Sequence, residues 1–470
     1  MIISKSKQIL INNVVSISQR LPSSKVSQQE IIHGLEQINI ANKLGVNLDV
    51  YKGFFILYYY NQYHQYPKIK LPTAFNEYES LFKHNLDIIN GVCLLPSTIH
   101  WIYTCILHIP NCQGHIRDIL LGSFLASLWS RMNDPEKLDI AIKYGVEIIQ
   151  AAFDFDQFDY ISSKIKVGSF DIKTINLSGS GKKDKDTKLL NISSMTSFII
   201  AAASQFINQD IIVAKTSSRA TSSTTGSSDI FKLLGVNLRI TNQEMAKISS
   251  KTKIGVFQVE NAVPKLNQIY DNRLYDVQVF AGLVGGAAIV NPVDVTSIHY
   301  GLTRGSNKVC LGILNKLYPD KNITVITGKD ENGNSKMDQV SIIGETDIAQ
   351  IINGHTNYYT VTPKDFGLEF GDLNGVLSKS TPEKNAEEFV RLLMGKSNKS
   401  LEAVIAMEAA ICLINIEGVD NLKSGAKLAL EIIKSGKGLE VLDNFILSTK
   451  GDRNRLRVLI NSIINSKTYD

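Results

Sequence analysis

The sequence has few cysteines, few prolines and no long hydrophobic run. Its 470 residues include 5 Cys, 11 Pro and 2 Trp. The cysteines, at positions 93, 105, 112, 310 and 412, form no CxxC pair. An odd and sparse set argues against a disulfide scaffold and favours a reducing compartment. A catalytic thiol is the alternative interpretation, but a free cysteine is more often a small buried side chain.

No segment is predicted to cross a membrane or to direct export. The most apolar windows, residues 54–60 and 101–110, are much shorter than the roughly 20 residues that a spanning helix needs. The apolar start of the chain is interrupted by Asn12 and Asn13 and has no small-residue cleavage site, unlike a signal peptide. We therefore expect a cytoplasmic protein without a membrane partner.

The chain also lacks a strong excess of charge of one sign. Lys and Arg total 50 against 45 Asp and Glu, which gives a net charge of +5. Dedicated nucleic-acid-binding proteins carry denser basic patches. A hydrophobic content of 44% excludes global disorder and leaves a folded chain long enough for two or three domains.

The hydrophobic pattern changes along the chain. Residues 1–80 and 81–155 have helical periodicity, and we predict a helical N-terminal extension followed by a helical bundle domain. From residue 156 to 470, strand-like runs alternate with helix-like stretches. This alternation predicts an α/β fold: an N-terminal helical domain and a larger α/β domain with a mainly parallel central sheet flanked by helices.

Individual elements follow from the same patterns. Strands are predicted within residues 160–177, 211–214, 277–280 and 323–327. Helices are predicted over residues 116–129, after Pro135, from Asn191 to Ala203, over 228–234, 242–249 and 308–317, and through most of 382–463.

Two polar segments follow strand-like runs and suit an anionic ligand. Ser178-Gly179-Ser180-Gly181 precedes four lysines (182, 183, 185 and 188) and a helix start at Asn191. Glycines let backbone amides approach an anion, and a helix N-terminus adds unpaired N–H groups. The second segment, residues 215–229, is rich in hydroxyl groups and carries Lys215 and Arg219. An ordinary surface loop and a Ser/Thr-rich linker are the alternatives.

A third segment carries acidic groups. Residues 328–334 contain Asp330 and Glu331, and Asp338-Gln339 follows shortly after. Carboxylates after a buried strand are suitable ligands for Mg²⁺, which retains waters and substrate phosphates. A solvated acidic turn is the alternative. His299 is a further candidate acid or base, although a lone histidine near a strand end is more often a hydrogen-bonded structural residue.

In combination, these segments resemble the anthranilate phosphoribosyltransferase family, whose fold is shared with the pyrimidine nucleoside phosphorylases. The glycine loop at 178–181 and Asn191-Ile192-Ser193-Ser194 resemble the family's glycine loop and its Asn-Ile-Ser-Thr helix start. The segment from Lys215 to Asp229 is similar to its Lys-His-Gly-Asn-Arg loop and the Gly-Ser-Ala-Asp that follows. The likeness extends over residues 80 to 445, including Asn291-Pro292 and the segment at 365–368.

The resemblance implies a glycosyltransferase of tryptophan biosynthesis that moves a phosphoribosyl group from phosphoribosyl pyrophosphate to an aromatic amine with the help of Mg²⁺. It implies that the donor is bound by Gly179, Ser180, Gly181, Asn191, Ser193, Ser194, Lys215 and Ser223. Lys215 and Asp338 are the implied catalytic residues, Ser193 and Asp338 the implied metal ligands, and Ser218 and Arg219 lie on the implied acceptor side. By the same analogy we expect a homodimer.

Several positions depart from the family pattern. Lys182 and Lys183 replace a glycine and a carboxylate, and Gln339 replaces the second acidic residue of the family's Asp-Glu pair. Thr216-Ser217-Ser218 replaces the family's His-Gly-Asn. The nearest candidate for the arginine that binds the anthranilate carboxylate is Arg273, at a different spacing.

These departures leave three hypotheses. The first is a phosphoribosyltransferase that uses an aromatic or heterocyclic amine other than anthranilate. The second is a catalytically altered relative that binds nucleic acid or a phosphorylated ligand, which the lysine-rich loop favours. Nucleoside phosphorolysis on the same fold ranks last, because the base-binding residues of that group are not evident.

Overall fold

The computed structural model describes residues 5–21, 26–132, 134–159, 164–168, 171–181, 188–219, 226–270, 286–333 and 336–465. The chain divides into two compact units. One comprises residues 1–158 with 264–280, and the other comprises residues 159–263 with 281–470.

The described residues form a series of α-helices that we number in chain order. They are α1 (Lys5–Arg20), α2 (Gln28–Lys43), α3 (Asp49–Tyr63), α4 (Glu79–Ile89), α5 (Pro96–Leu107), α6 (Gly114–Met132), α7 (Leu138–Asp156), α8 (Ile192–Ala203), α9 (Ser227–Leu233), α10 (Asn242–Thr252), α11 (Val259–Ala262), α12 (Pro264–Tyr270), α13 (Gly286–Ile289), α14 (Asn307–Leu317), α15 (Pro382–Leu393), α16 (Lys399–Asn415), α17 (Leu422–Ser435), α18 (Lys437–Ser448) and α19 (Arg453–Asn465).

The first unit is helical, with α1–α7 joined by α12. Its closest helix pair is α3 against α6, where glycines allow the two backbones to meet. A Cβ atom on Gly53 would lie 1.9 Å from the carbonyl oxygen of Ile119, and one on Gly122 would lie 1.8 Å from that of Val50. The N-terminal helices therefore pack directly on the long apolar helix that the sequence predicts over residues 116–129.

The second unit is built on one sheet. Its strands are β1 (Lys173–Gly179), β2 (Ile211–Ser217), β3 (Ile254–Gln258), β4 (Ser297–Gly301), β5 (Asn322–Lys329), β6 (Lys336–Met337), β7 (Thr346–Ile352) and β8 (His355–Val361). The strand order is β3-β2-β1-β4-β5-β7-β8, with β6 paired to β5. The first five strands in this order, β3, β2, β1, β4 and β5, pair in parallel. Strand β7 pairs antiparallel with both β5 and β8. The structure confirms the predicted fold class.

Strand composition explains the parallel part of the sheet. All seven residues of β2 are buried, and its sequence IIVAKTS begins with a continuous apolar run. Such a run is typical of a parallel strand covered by helices on both faces. The strands predicted within 211–214 and 323–327 are confirmed as β2 and β5.

Other strand predictions fared differently. Among the described residues of the segment predicted to be extended over 160–177, the strand begins at Lys173 and continues to Gly179, and Ile165 makes an isolated bridge to Val293. Gly168, at φ 75°, lies between these two parts in a conformation that glycine adopts readily. The strand predicted over 277–280 lies outside the described residues.

The antiparallel strands β7 and β8 were not predicted. Ile352 pairs with His355 across a two-residue turn of Asn353 and Gly354, with φ values of 50° and 78°. Positive φ at both turn residues is the condition that favours Asn-Gly in tight hairpins. The Asn-Gly pair was therefore the available signal for this hairpin.

The core of the second unit is centred on α8, which packs against β2, α16 and α18. Phe198 on α8 contacts the rings of Phe231, Phe389 and Phe445 at centroid distances of 6.2, 5.7 and 6.4 Å. This aromatic cluster joins α8, α9, α15 and α18 and fixes the helix that begins at Asn191.

In the described part of the chain, no helix is both long and apolar enough to span a bilayer.

Candidate active site

The predicted site residues gather at the carboxyl ends of the parallel strands. Leu177 of β1 is aligned with Lys215 of β2 and with His299 of β4, and Gly179 is aligned with Gly301. Aligned residues of parallel neighbours point to the same face of a sheet. Lys215, the glycine loop and His299 are therefore brought to one face and one end of the sheet.

Asp338 lies directly over the two glycines at this end. Its Oδ2 accepts a hydrogen bond of 2.8 Å from the backbone N–H of Gly181. A Cβ atom on Gly179 would lie 2.9 Å from that same oxygen, and one on Gly301 would lie 1.8 Å from the Asp338 carbonyl oxygen. A side chain at position 301 would collide with backbone, whereas one at position 179 would require the Asp338 carboxyl to shift. Gly301 is a site residue that the sequence analysis missed.

The glycine loop is held by hydroxyl groups. The Ser180 hydroxyl accepts from the N–H of Thr303 at 2.9 Å and lies 2.8 Å from the Thr303 hydroxyl, which also donates to the Gly181 carbonyl at 3.1 Å. The Ser180 N–H donates to the Gly301 carbonyl at 2.8 Å. These contacts fix a loop whose Gly181 has a φ of 73°. Thr303 was also missed, because a threonine after a strand carries no distinctive signal.

Helix α8 begins at the helix start that closes the first polar segment, as predicted at Asn191. Asn191 is its N-cap residue, and its carbonyl accepts from the N–H groups of Ser194 and Met195 at 3.0 and 3.1 Å. Ser193 is half-buried in the first turn, and Ser194 is buried. The first N–H groups of such a helix have no helical partners and are suited to an anion.

Two lysines and Asp338 are electrostatically coupled at this site. Burial lowers the pKa of Lys215 to about 8, although the nearby Asp338 carboxyl opposes the shift. Burial also lowers the pKa of Lys188 to about 8, opposed by Asp338 and Asp229. Burial raises the pKa of Asp338 to about 6, and the N–H of Gly181 opposes this. Partly desolvated cations beside one carboxylate form a site that a polyanion would stabilise.

The backbone supports the position of these cations. Lys215 is 3% exposed, and its Nζ donates to the Thr216 carbonyl at 2.5 Å. The Lys188 carbonyl accepts from the N–H of Ser378 at 2.8 Å, next to a bridge between Leu189 and Leu377. Lys188 is thus the described member of the lysine-rich loop that belongs to the site. Lys182 and Lys183 lie outside the described residues.

Hydrogen bonds join the two described ends of the hydroxyl-rich segment, residues 215–229. The N–H of Ser218 donates to the Ser227 hydroxyl at 3.2 Å, and the N–H of Ser228 donates to the Ser218 carbonyl at 3.1 Å. The exposed Arg219 donates its backbone N–H to Glu260 at 2.6 Å. Ser223 lies outside the described residues.

Thr216, which replaces the family's histidine, is bound to buried amides. Its hydroxyl donates to Asn176 Oδ1 at 3.1 Å and accepts from Asn291 Nδ2 at 2.9 Å. Asn291 Nδ2 also donates to the Ala214 carbonyl at 3.1 Å. Thr216 therefore takes part in joining β1, β2 and the segment before Pro292. Arg273, the candidate for the acceptor's carboxylate, lies outside the described residues.

The acidic segment separates into two parts. Asp330 Oδ1 accepts from the N–H of Asn332 at 3.0 Å within the turn, and Glu331 is exposed. Asp338 is the acidic residue that accepts a hydrogen bond from the glycine loop, at the N–H of Gly181. Within the described ranges, no three residues of the types His, Cys, Asp and Glu are grouped as a metal site.

Comparisons with known proteins indicate the family of the chain. Residues 176–439 match the family described as "Glycosyl transferase family, a/b domain". The chain is 27% identical over 336 residues to the anthranilate phosphoribosyltransferase of Tolumonas auensis, covering 70% of this chain and 88% of the relative. It is 30% identical over 266 residues to that of Francisella philomiragia, covering 55% of this chain and 72% of the relative.

Solved structures share the fold. Anthranilate phosphoribosyltransferase from Saccharomyces cerevisiae in complex with PRPP and Mg aligns with a TM-score of 0.60 at 19% identity, covering 79% of this chain and 98% of the other. The enzyme from Thermus thermophilus aligns with a TM-score of 0.59 at 19% identity, covering 79% and 99%. With a glycosyl transferase domain over more than half of its length, the chain belongs to the anthranilate phosphoribosyltransferase family.

Proposed function

We propose that the protein transfers a phosphoribosyl group from phosphoribosyl pyrophosphate to an aromatic or heterocyclic amine. The observation that carries this proposal is the coupling of Lys215 and Lys188 with Asp338 beside the glycine loop. Cations, backbone N–H groups and one carboxylate are the groups that a magnesium-bound diphosphate requires. The complex of the yeast relative with PRPP and Mg supports the choice of donor.

The pyrophosphate is assigned to the end of the sheet. Backbone groups of Gly179, Ser180 and Gly181 and the N-terminus of α8, with Asn191, Ser193 and Ser194, surround it in this proposal. Lys215 stabilises the charge that builds up on the leaving pyrophosphate. Ser223 is retained as a donor-binding residue by resemblance alone.

Mg²⁺ is proposed as the metal, held by Asp338 and Ser193 together with phosphate oxygens and water. The donor set fits this ion, because Mg²⁺ in phosphate sites is usually bound through one or two carboxylates plus the substrate. The Asp338 carboxylate, whose Oδ2 accepts from the N–H of Gly181, is the acidic ligand assigned to this ion. When bound, the ion neutralises the pyrophosphate.

The proposed reaction is a displacement at the anomeric carbon of the ribose. The bond from this carbon to the pyrophosphate oxygen breaks and its electron pair leaves with pyrophosphate. The amine nitrogen forms the new bond and releases a proton to solvent. The chain's contribution is positioning and electrostatic stabilisation. The glycine loop, which is held by hydrogen bonds between Ser180 and Thr303, contributes to both positioning and electrostatic stabilisation in this proposal.

The acceptor is proposed to differ from anthranilate. Thr216 stands where the family has histidine and is committed to Asn176 and Asn291. Ser218 and Arg219 remain the proposed acceptor-side residues. Loss of a charge-assisted hydrogen bond costs about 1.5–3 kcal/mol, so a site without a carboxylate-binding arginine would bind anthranilate weakly.

Three further expectations accompany this function. The first 80 residues are proposed as an extension of the family's helical domain, the assembly as a homodimer, and the location as cytoplasmic. The five cysteines are all unpaired, which agrees with a reducing compartment.

The test is pyrophosphate release from phosphoribosyl pyrophosphate, measured with Mg²⁺ and a panel of amines that includes anthranilate. Release that requires an amine, with a preferred amine other than anthranilate, is the expected result. Anthranilate as the best acceptor would contradict the specificity proposal only. Donor binding without turnover on any amine would favour the second hypothesis, a relative that binds a phosphorylated ligand or nucleic acid.

A further inference from the structure

A buried carboxylate on α16 links β4 to the segment that carries Asp338. Glu408 Oε1 lies 2.8 Å from His299 Nε2, and Glu408 Oε2 accepts from the N–H of Val340 at 3.0 Å. Val340 follows Asp338 by two residues. One side chain therefore joins the middle of a strand to the backbone beside the proposed metal ligand.

The same segment is held from its other end. The Asp338 carbonyl lies over Gly301, which follows His299 by two residues on β4. The Asp338 carboxyl is bound to the N–H of Gly181. Asp338 is thus fixed through the strand that contains both Gly301 and His299, and the glycine loop depends on the same anchor.

The carboxyl oxygens of Glu408 are committed to protein partners. The side chains of His299 and Glu408 are each 1% exposed, and Glu408 is bonded both to His299 and to the Val340 N–H. Burial would lower the pKa of His299, but Cys412 and Glu408 together raise it to about 10. Cys412 lies one turn after Glu408 on α16, and burial raises the pKa of its thiol.

Stability alone does not explain a charged pair at this place. Replacing a buried ion pair with well-packed apolar side chains is often neutral or stabilising. What an apolar pair cannot supply is the acceptor for the Val340 N–H. The feature that needs Glu408 is therefore the backbone of the 338–340 segment.

We propose that Glu408 is a positioning residue: held in place by His299, it fixes the 338–340 segment and so orients Asp338 toward the bound diphosphate. This proposal deepens the proposed function and rests on it. Groups that orient metal ligands from behind commonly change metal affinity or activity by about 10–100-fold when they are removed.

The test compares three variants by calorimetric titration with magnesium pyrophosphate and by thermal unfolding. Glu408→Gln keeps an acceptor for Val340 and a donor for a neutral His299. Glu408→Met has a similar size and keeps neither. Ile405→Ala removes fully buried side-chain atoms from the same helix without touching the pair.

The proposal predicts that Glu408→Met lowers the affinity for magnesium pyrophosphate by about 10–100-fold. Glu408→Gln retains most of the affinity for magnesium pyrophosphate. Ile405→Ala lowers the melting temperature and leaves this affinity unchanged. Hydrogen exchange gives a second readout, with loss of protection at Val340 in Glu408→Met alone.

Two outcomes overturn the proposal and can be told apart. If the unaltered protein binds but folded Glu408→Met binds equally well, the pair is structural only and the proposed function stands. If the unaltered protein does not bind magnesium pyrophosphate, the proposed function fails and the positioning role fails with it. Should Glu408→Met not fold, near-normal binding with a protected Val340 in folded Glu408→Gln supports the proposal. Near-normal binding with an unprotected Val340, or weak binding with a protected Val340, overturns it.

Discussion

The carbonyl oxygen of Asp338 fills the space next to the Cα of Gly301, where a Cβ atom would lie 1.8 Å away. The contact joins the segment after β6 to the end of β4, and it sets the position of the carboxyl that binds the N–H of Gly181. The site therefore depends on a glycine that makes no side-chain contact of its own.

Gly301→Ala is expected to displace the 338 segment and weaken binding of magnesium pyrophosphate. Forcing an extra methyl group into a packed site typically costs about 1–3 kcal/mol of stability. Urea unfolding and calorimetric titration measure the two effects. Gly114→Ala is the control, because its Cβ would meet only the end of the Arg117 side chain, at 3.4 Å. Equal binding by both variants would show that the 301–338 contact does not shape the site.

Lys215→Met is expected to lower the affinity for pyrophosphate by about 10–150-fold, which corresponds to the roughly 1.5–3 kcal/mol of a charge-assisted hydrogen bond. Methionine preserves the apolar stem of this buried side chain and removes the ammonium group. Lys253→Met, which breaks only the ion pair of 2.9 Å with Asp210, is the matched control. Unchanged binding by Lys215→Met would remove this lysine from the donor site.

Asp338→Asn is expected to abolish the gain in pyrophosphate affinity that Mg²⁺ provides. An amide is a poorer ligand for Mg²⁺ than a carboxylate, whereas the amide oxygen still accepts from Gly181. Titrations with and without Mg²⁺ separate the two contributions. Asp330→Asn serves as the control, since Asp330 bonds within its own turn. An Asp338→Asn protein with full magnesium dependence would place the metal elsewhere.

Lys164 is expected to make stability depend on pH. Burial and Lys321 lower its pKa from 10.5 to about 7, with Asp294 opposing. Its Nζ donates to the Ile289 carbonyl at 2.9 Å and to that of Asn291, contacts that a neutral amine retains. Between pH 7 and 10.5 the unfolded chain holds a proton that the folded chain has released, so this group's contribution to stability rises with pH.

Urea unfolding measures the effect as the unfolding free energy of the unaltered protein minus that of Lys164→Met. This value should rise as pH rises from about 6 to 9. The control is Lys166→Met, whose side chain is exposed. A difference that stays constant or shrinks over this range would contradict the assignment of a neutral Lys164.

Phe198→Ala is expected to cost about 3–5 kcal/mol of unfolding free energy. The ring contacts three other aromatic rings from α9, α15 and α18, and the cavity left behind would have to collapse against all of them. Leu447→Ala, at a side chain that is 58% exposed, should change stability by less than about 0.5 kcal/mol. A similar loss of unfolding free energy in the two variants would contradict the placement of the core on α8.

The parts of the site that sequence predicts are those with a local signal. The apolar run before Lys215 identifies β2, and Asn191 marks the start of α8. Lys215 and Asn191 were assigned from these segments and their resemblance to the family. The assigned roles of the site residues stay predictions until binding is measured.

The parts that sequence did not predict depend on contacts between distant segments. Gly301, Thr303 and Glu408 act on residues more than 35 positions away, and nothing in their own neighbourhoods indicates those partners. The β7–β8 hairpin is different, because Asn353-Gly354 was a local signal that was overlooked.

The most direct measurement of the central claim is calorimetric titration of the protein with phosphoribosyl pyrophosphate and Mg²⁺. The proposed function predicts saturable binding at one site per chain, weakened in Lys215→Met and unchanged in Lys253→Met. No binding at millimolar ligand would contradict it.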